Sequence, residues 1–104
     1  RTFCYIDDVI KILISVIKSK KSLNIAINIG NNYPEIKIVD LANIIATILK
    51  KKIKFLNKKS LIFSQKRRCP DTKLINKIYK NKKRVLLIDG VSMTYQWYKE
   101  NNFI

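Results

Sequence analysis

The sequence contains no histidine and only two cysteines, Cys4 and Cys69. That excludes a Cys/His zinc centre and a disulfide framework. Glycine is almost as scarce, with Gly30 and Gly90 alone, so no glycine-rich loop that brings a dinucleotide pyrophosphate against a helix start can be built. Acidic residues number 7 against 22 Lys and Arg, a formal charge of +15. The longest apolar stretch, Val9 to Ile17, is interrupted by Lys11 and falls far short of the roughly 20 residues of a membrane span. The chain reads as soluble and cytoplasmic.

What is present is 104 residues, 47% of them hydrophobic, enough for one small core and too much apolar content for a disordered chain. A single domain over 1–104 is expected. The residues are unevenly drawn: 19 Ile, 18 Lys and 10 Asn make up 47 of the 104 positions. All three have A/T-rich codons, and this bias accounts for much of the positive charge without selection for a polyanion partner. The chain opens on Arg1 and not on methionine, as a piece of a larger protein would.

Periodicity divides the chain into alternating elements. Arg1 to Tyr5 is a short β-tolerant segment leading to Asp7-Asp8, either of which can cap a following helix. Ile10, Leu13, Ile14 and Ile17 recur at helical spacing, and Lys18 to Lys21 suit the negative end of that helix. Asn24 to Ile29 alternates polar and apolar as a strand does, stopping at Gly30-Asn31-Asn32. A second helix is predicted from about Val39, with Ile38, Leu41, Ala42, Ile45, Ile48 and Leu49 on one face. Ile53 to Leu56 reads as a short strand and Asn57 to Ser60 as a polar turn. Phe63 to Pro70 has neither period and reads as an exposed loop carrying Lys66, Arg67 and Arg68. Asp71 or Thr72 caps a third helix bearing Leu74, Ile75, Ile78 and Tyr79. The basic connector Lys80 to Arg84 leads to a last helix from about Ile88 to Glu100, with Val91, Tyr95 and Tyr98 on one face. The alternation predicts an α/β class.

Two clusters carry candidate chemistry. Arg1-Thr2-Phe3-Cys4-Tyr5-Ile6-Asp7-Asp8 sets an arginine ahead of paired carboxylates. In Lys66-Arg67-Arg68-Cys69-Pro70-Asp71, Pro70 biases Cys69 toward extended backbone and Asp71 can cap the next helix, which stiffens the loop. Arginine occurs 4 times against 18 lysines, so two adjacent arginines are poorly explained by codon bias, and guanidinium grips phosphate through two parallel donors.

These clusters, with Asn28-Ile29-Gly30-Asn31, the Ile-x-x-Leu-Ala start of the second helix and Gly90-Val91-Ser92-Met93-Thr94-Tyr95-Gln96-Trp97-Tyr98, resemble the C-terminal part of the NAD-dependent nucleotide-sugar epimerase/dehydratase family, the extended short-chain dehydrogenases. The likeness is greatest to the UDP-glucuronate decarboxylases, and the motifs hold order and spacing over nearly the whole chain. The resemblance implies a small mixed strand-helix substrate-binding portion, with the Rossmann half and its NAD lying outside these residues. It further implies that Arg1 and Arg68, with Arg67 assisting, contact the diphosphate of a UDP-sugar or related nucleotide sugar. In the whole enzyme, a homodimer, the sugar C4 hydroxyl would be oxidised before decarboxylation, elimination or epimerisation. The sequence departs from the family at Phe63-Ser64, where an acidic pair is usual, and at Lys80-Asn81 and Lys83, in place of Gly-Trp and a proline.

No catalytic residue is assigned to this chain and no activity is expected of it alone. The family's Tyr-x-x-x-Lys pair is matched in form by Tyr33/Lys37, Tyr79/Lys83 and Tyr95/Lys99. The first contains Pro34, the second crosses a helix end, and the third lies where the family has a surface helix. Two other readings stay open at this stage. One is a stand-alone basic module for a polyanion, against which the charge is scattered and no nucleic-acid motif is present. The other is an inactive gene remnant.

Overall fold

A computed structural model describes residues 1–22, 24–56, 65, 67–81 and 83–104. Four helices order the chain: α1 (Ile6–Lys18), α2 (Ile38–Ile48), α3 (Lys73–Ile78) and α4 (Leu87–Glu100), with a 3-10 turn at Lys20–Ser22 after α1. Among the described residues the structure is 51% helix and contains no strand and no sheet. The expectation of an α/β, mixed strand-helix portion is therefore corrected to an all-helical arrangement.

The correction has a physical reason in each of the three segments read as strands. Period-two alternation states a preference for extended backbone, but a strand exists only where a neighbour supplies the ladder. In Arg1 to Tyr5 one such exchange forms: the Arg1 amino group donates to the Ile36 carbonyl at 2.7 Å and Ile36 N–H donates back to Arg1 at 2.9 Å. It goes no further. Asn24 takes a left-handed conformation, φ 58°, which breaks the extended run where it would begin, although Ile27 and Ile29 remain half-buried and Ala26 and Asn28 exposed. Ile53 to Leu56 is exposed and forms no regular element. The polar turn expected at Asn57 to Ser60, together with Phe63, Ser64 and Lys66 of the basic loop and Lys82 of the connector, lies outside the described residues.

The helices form close to where the spacing places them. α2 starts at Ile38 because Asp40 reaches back to accept the Lys37 N–H at 3.2 Å. α4 closes through Asn102 at φ 57°, which lets Phe103 N–H return to the Tyr98 carbonyl at 3.0 Å and stacks the Phe103 ring on Trp97 with centroids 5.5 Å apart. Gly90 is buried in α4, where a Cβ would stand 3.3 Å from Tyr5 Cδ2; the missing side chain is what lets the Tyr5 ring lie against the helix.

Packing is sparse. α1 sits against α3 and α2 against α4, and among the described residues the fully buried side chains are Ile12 of α1 and Ile75 of α3. The side of α1 turned inward is that of Asp8 and Ile12. The stripe Ile10, Leu13, Ile14 and Ile17 is 41–75% exposed. Between α2 and α4 lies an apolar groove of about 500 Å³ bordered by Leu41, Ile45, Leu49, Val91, Tyr95 and Tyr98, the faces that the spacing had singled out on both helices. A radius of gyration of 16.5 Å, against about 13 Å for a compact domain of this length, agrees with a chain that leaves much of its apolar surface uncovered.

Asp8 holds the two halves of this arrangement together. It was expected to cap α1, but Tyr5 occupies the cap position without a side-chain bond, and the Asp8 carboxylate instead accepts the Val85 N–H at 2.7 Å, across 77 residues. Asp8 is 5% exposed. Leaving the half-buried Val85 N–H without a partner is costly, and the Asp8 side chain supplies its acceptor.

Candidate functional site

The three motif segments converge. Asn31 Nδ2 donates to the Phe3 carbonyl at 3.0 Å, tying the turn after Ile29 to the N-terminal segment. Asn28 Nδ2 donates to the Asp71 carbonyl at 3.3 Å, and the Cys69 thiol faces the Asn32 carbonyl at 3.6 Å, tying the same turn to the arginine loop. Asp71 accepts the Lys73 N–H at 2.9 Å and so organises the start of α3, as its position before that helix implied. The two asparagines of Asn28-Ile29-Gly30-Asn31 thus act as clamps on either side of the turn.

The arginines divide their work. Arg67 donates Nε and Nη2 to the Glu35 carboxylate at 2.8–3.0 Å, a two-pronged ion pair. That hydrogen bond, and then the charge of Arg67, hold the Glu35 carboxyl below the usual glutamate range, while Glu35 pushes Arg67 up. Arg68, its neighbour, donates Nε to Gln65 Oε1 at 2.9 Å. Arg1 Nη2 donates to the Gln65 main-chain carbonyl at 2.5 Å. Two guanidinium groups 67 positions apart in the chain therefore meet at one glutamine. Arg1 Nη1 is buried with no hydrogen-bond partner among the described residues, and the Nη groups of Arg68, an exposed residue, carry no bond among them either.

Chemically this is a pair of cations with donors left over, both held at Gln65, a site suited to an anion with several acceptor oxygens. Glu35 and Gln65 were not singled out in the sequence. Glu35 is one of 7 acidic residues in a strongly basic chain, and that scarcity is the signal that would have marked it as a partner for an arginine. Cys4, behind the site, has its thiol pushed up by burial and by the Asp8 carboxylate, with Arg84 opposing.

The residues do not fit NAD. Gly90 lies inside α4 against Tyr5 and Gly30 is eight residues ahead of α2, so neither stands in a loop at a helix start. Of the Tyr-x-x-x-Lys matches, Tyr33 precedes Pro34 outside any helix and Tyr79 is the residue that ends α3, whereas Tyr95 and Lys99 both lie within α4, the helical placement that such a pair requires. Among the described residues no three His, Cys, Asp or Glu side chains gather as a metal site would require, and no helix is long and apolar enough to cross a membrane.

Comparison with models of protein families, with curated proteins and with solved structures returns no match.

Proposed function

We propose that this chain is the nucleotide-sugar-binding part of a larger NAD-dependent enzyme of the epimerase/dehydratase kind, with UDP-glucuronate decarboxylation as the first reaction to test. The observation that carries the reading is the meeting of Arg1 and Arg68 at Gln65, since a diphosphate presents acceptor oxygens on two adjacent groups and two guanidinium forks match them. Further support comes from the resemblance itself: the segments that carry it are the ones joined by Asn28 and Asn31. Arg67 serves this site at one remove, bracing the loop through Glu35 and leaving Arg68 to face the ligand. In this reading NAD is held by another part of such an enzyme, and neither glycine among the described residues stands in a loop at a helix start.

The test is a pair of titrations followed by amide NMR. UDP-glucuronate is expected to bind one-to-one and to shift the amides of Thr2, Gln65 and Arg68, and NAD at millimolar concentration is expected to give no saturable change. Saturable NAD binding, or a UDP-glucuronate response matched by any oligonucleotide of similar charge and lost at about 200 mM salt as counterion release dictates, would contradict the reading.

A further inference from the structure

On the other side of the Gly30–Pro34 turn lies a second cavity, of about 520 Å³, that none of Arg1, Gln65, Arg67 and Arg68 borders. Its polar lining includes Asn31, Asn32, Asn76, Tyr79, Lys80 and Arg84 beside Tyr33 and Thr72, and among the described residues no carboxylate lines it. The Arg84 guanidinium lies over the Tyr79 ring, 5.0 Å from its centroid, and Nη1 donates to the carbonyls of Asn81 and Lys83. The head group is thus fixed in place, and among the described residues Nε and Nη2 make no hydrogen bond. Among the described residues neither Lys80 nor Arg84 forms an ion pair with a carboxylate.

We propose that this cavity is a binding site for a nucleoside monophosphate, its phosphate on Lys80 and Arg84 and its base against Tyr79 and the asparagine amides. Its volume is within the range of small-ligand sites. A guanidinium already stacked on an aromatic ring loses little freedom on meeting a phosphate. Asn31 Nδ2 is engaged by the Phe3 carbonyl, but Asn32 and Asn76 can each present a donor and an acceptor, the pairing that a base edge requires, Asn76 being tied only loosely, with Nδ2 3.4 Å from Thr72 Oγ1. Ring and charge recognition together favour a nucleotide over a bare anion. The proposal is independent of the diphosphate site at Gln65.

The experiment titrates the full chain with UMP and AMP, and with inorganic phosphate as the ringless probe, at low and at about 150 mM salt, reading amide shifts and affinity. At least one nucleotide is expected to shift Thr72, Asn76, Tyr79 and Lys80 more than tenfold more tightly than phosphate does. Lys80→Ala, a substitution at an exposed position, and Arg84→Ala should each weaken binding about tenfold or more, with Arg68→Ala without effect at this cavity. Circular dichroism of each variant separates lost binding from lost folding, and Lys80→Ala carries the test if Arg84→Ala unfolds. Shifts confined to Thr2, Gln65 and Arg68, equal affinity for phosphate alone, or binding unchanged by Lys80→Ala would overturn the proposal.

Discussion

Removing the Asp8 carboxylate separates the front of the chain from the back. Asp8 is 5% exposed and its Oδ2 accepts the Val85 N–H at 2.7 Å, just ahead of α4. A hydrogen bond to an ionised acceptor contributes about 1.5–3 kcal/mol net. In Asp8→Ala the Val85 N–H is left half-buried without that partner, which places the loss near 2 kcal/mol, a large part of what holds a chain with so few buried side chains. At a urea dependence of about 1 kcal/mol per molar for a small protein, the unfolding midpoint followed by circular dichroism should fall by about 2 M. Asp8→Asn keeps an acceptor oxygen and gives up only the charge assistance, so its midpoint should lie between the other two. The Val85 amide should exchange with solvent fastest in Asp8→Ala. A midpoint for Asp8→Ala within about 0.3 M of the parent would mean that the bond is not formed in solution, and with it the link between α1 and α4 would be lost.

Three further outcomes follow from the same structure. Ile12→Ala, at a fully buried position, should cost about 2–5 kcal/mol, and Leu13→Ala, at a 41% exposed neighbour, well under half of that; equal losses would put the inward side of α1 elsewhere. The Glu35 carboxyl, lowered by the Arg67 hydrogen bond, should titrate by NMR below the ordinary glutamate range and return to it in Arg67→Ala. Because its pKa is lower folded than unfolded, the ion pair favours folding above the ordinary glutamate range and that contribution disappears as pH falls through the lowered value; an unchanged Glu35 midpoint in Arg67→Ala would remove the pair. In Arg67→Ala, UDP-glucuronate affinity should drop less than in Arg68→Ala, since Arg67 is occupied by Glu35; the reverse order would exchange their roles.

The helices were legible because helical bonds are local. The Ile/Leu spacing of α2 and α4 placed each start within a residue of Ile38 and Leu87 and picked out the groove faces Leu41/Ile45/Leu49 and Val91/Tyr95/Tyr98. The strands were not, because pairing is a property of a neighbour and not of a segment: Asn24 to Ile29 alternates as a strand would and finds no ladder. α1 shows a third case. Its apolar period is real, but burial at Asp8 and Ile12 is decided by α3 and by the Val85 N–H, so the richest stripe faces outward. Within the site, Arg1 and Arg68 could be singled out by residue type and rarity. Their meeting at Gln65, and the diversion of Arg67 to Glu35, depend on contacts across 64 and 32 positions that no local pattern encodes.

The proposed hold of the Arg1 and Arg68 forks on a nucleotide-sugar diphosphate is tested most directly by the affinity of UDP-glucuronate for the parent chain, Arg68→Lys and Arg68→Ala. Loss of a charge-assisted bond of about 1.5–3 kcal/mol weakens binding roughly 10- to 150-fold, so Arg68→Ala should fall by that factor. Arg68→Lys should recover only part, because an ammonium keeps the charge without the paired donors. Equal affinity in all three proteins would contradict the claim and leave Arg68 a solvated basic side chain.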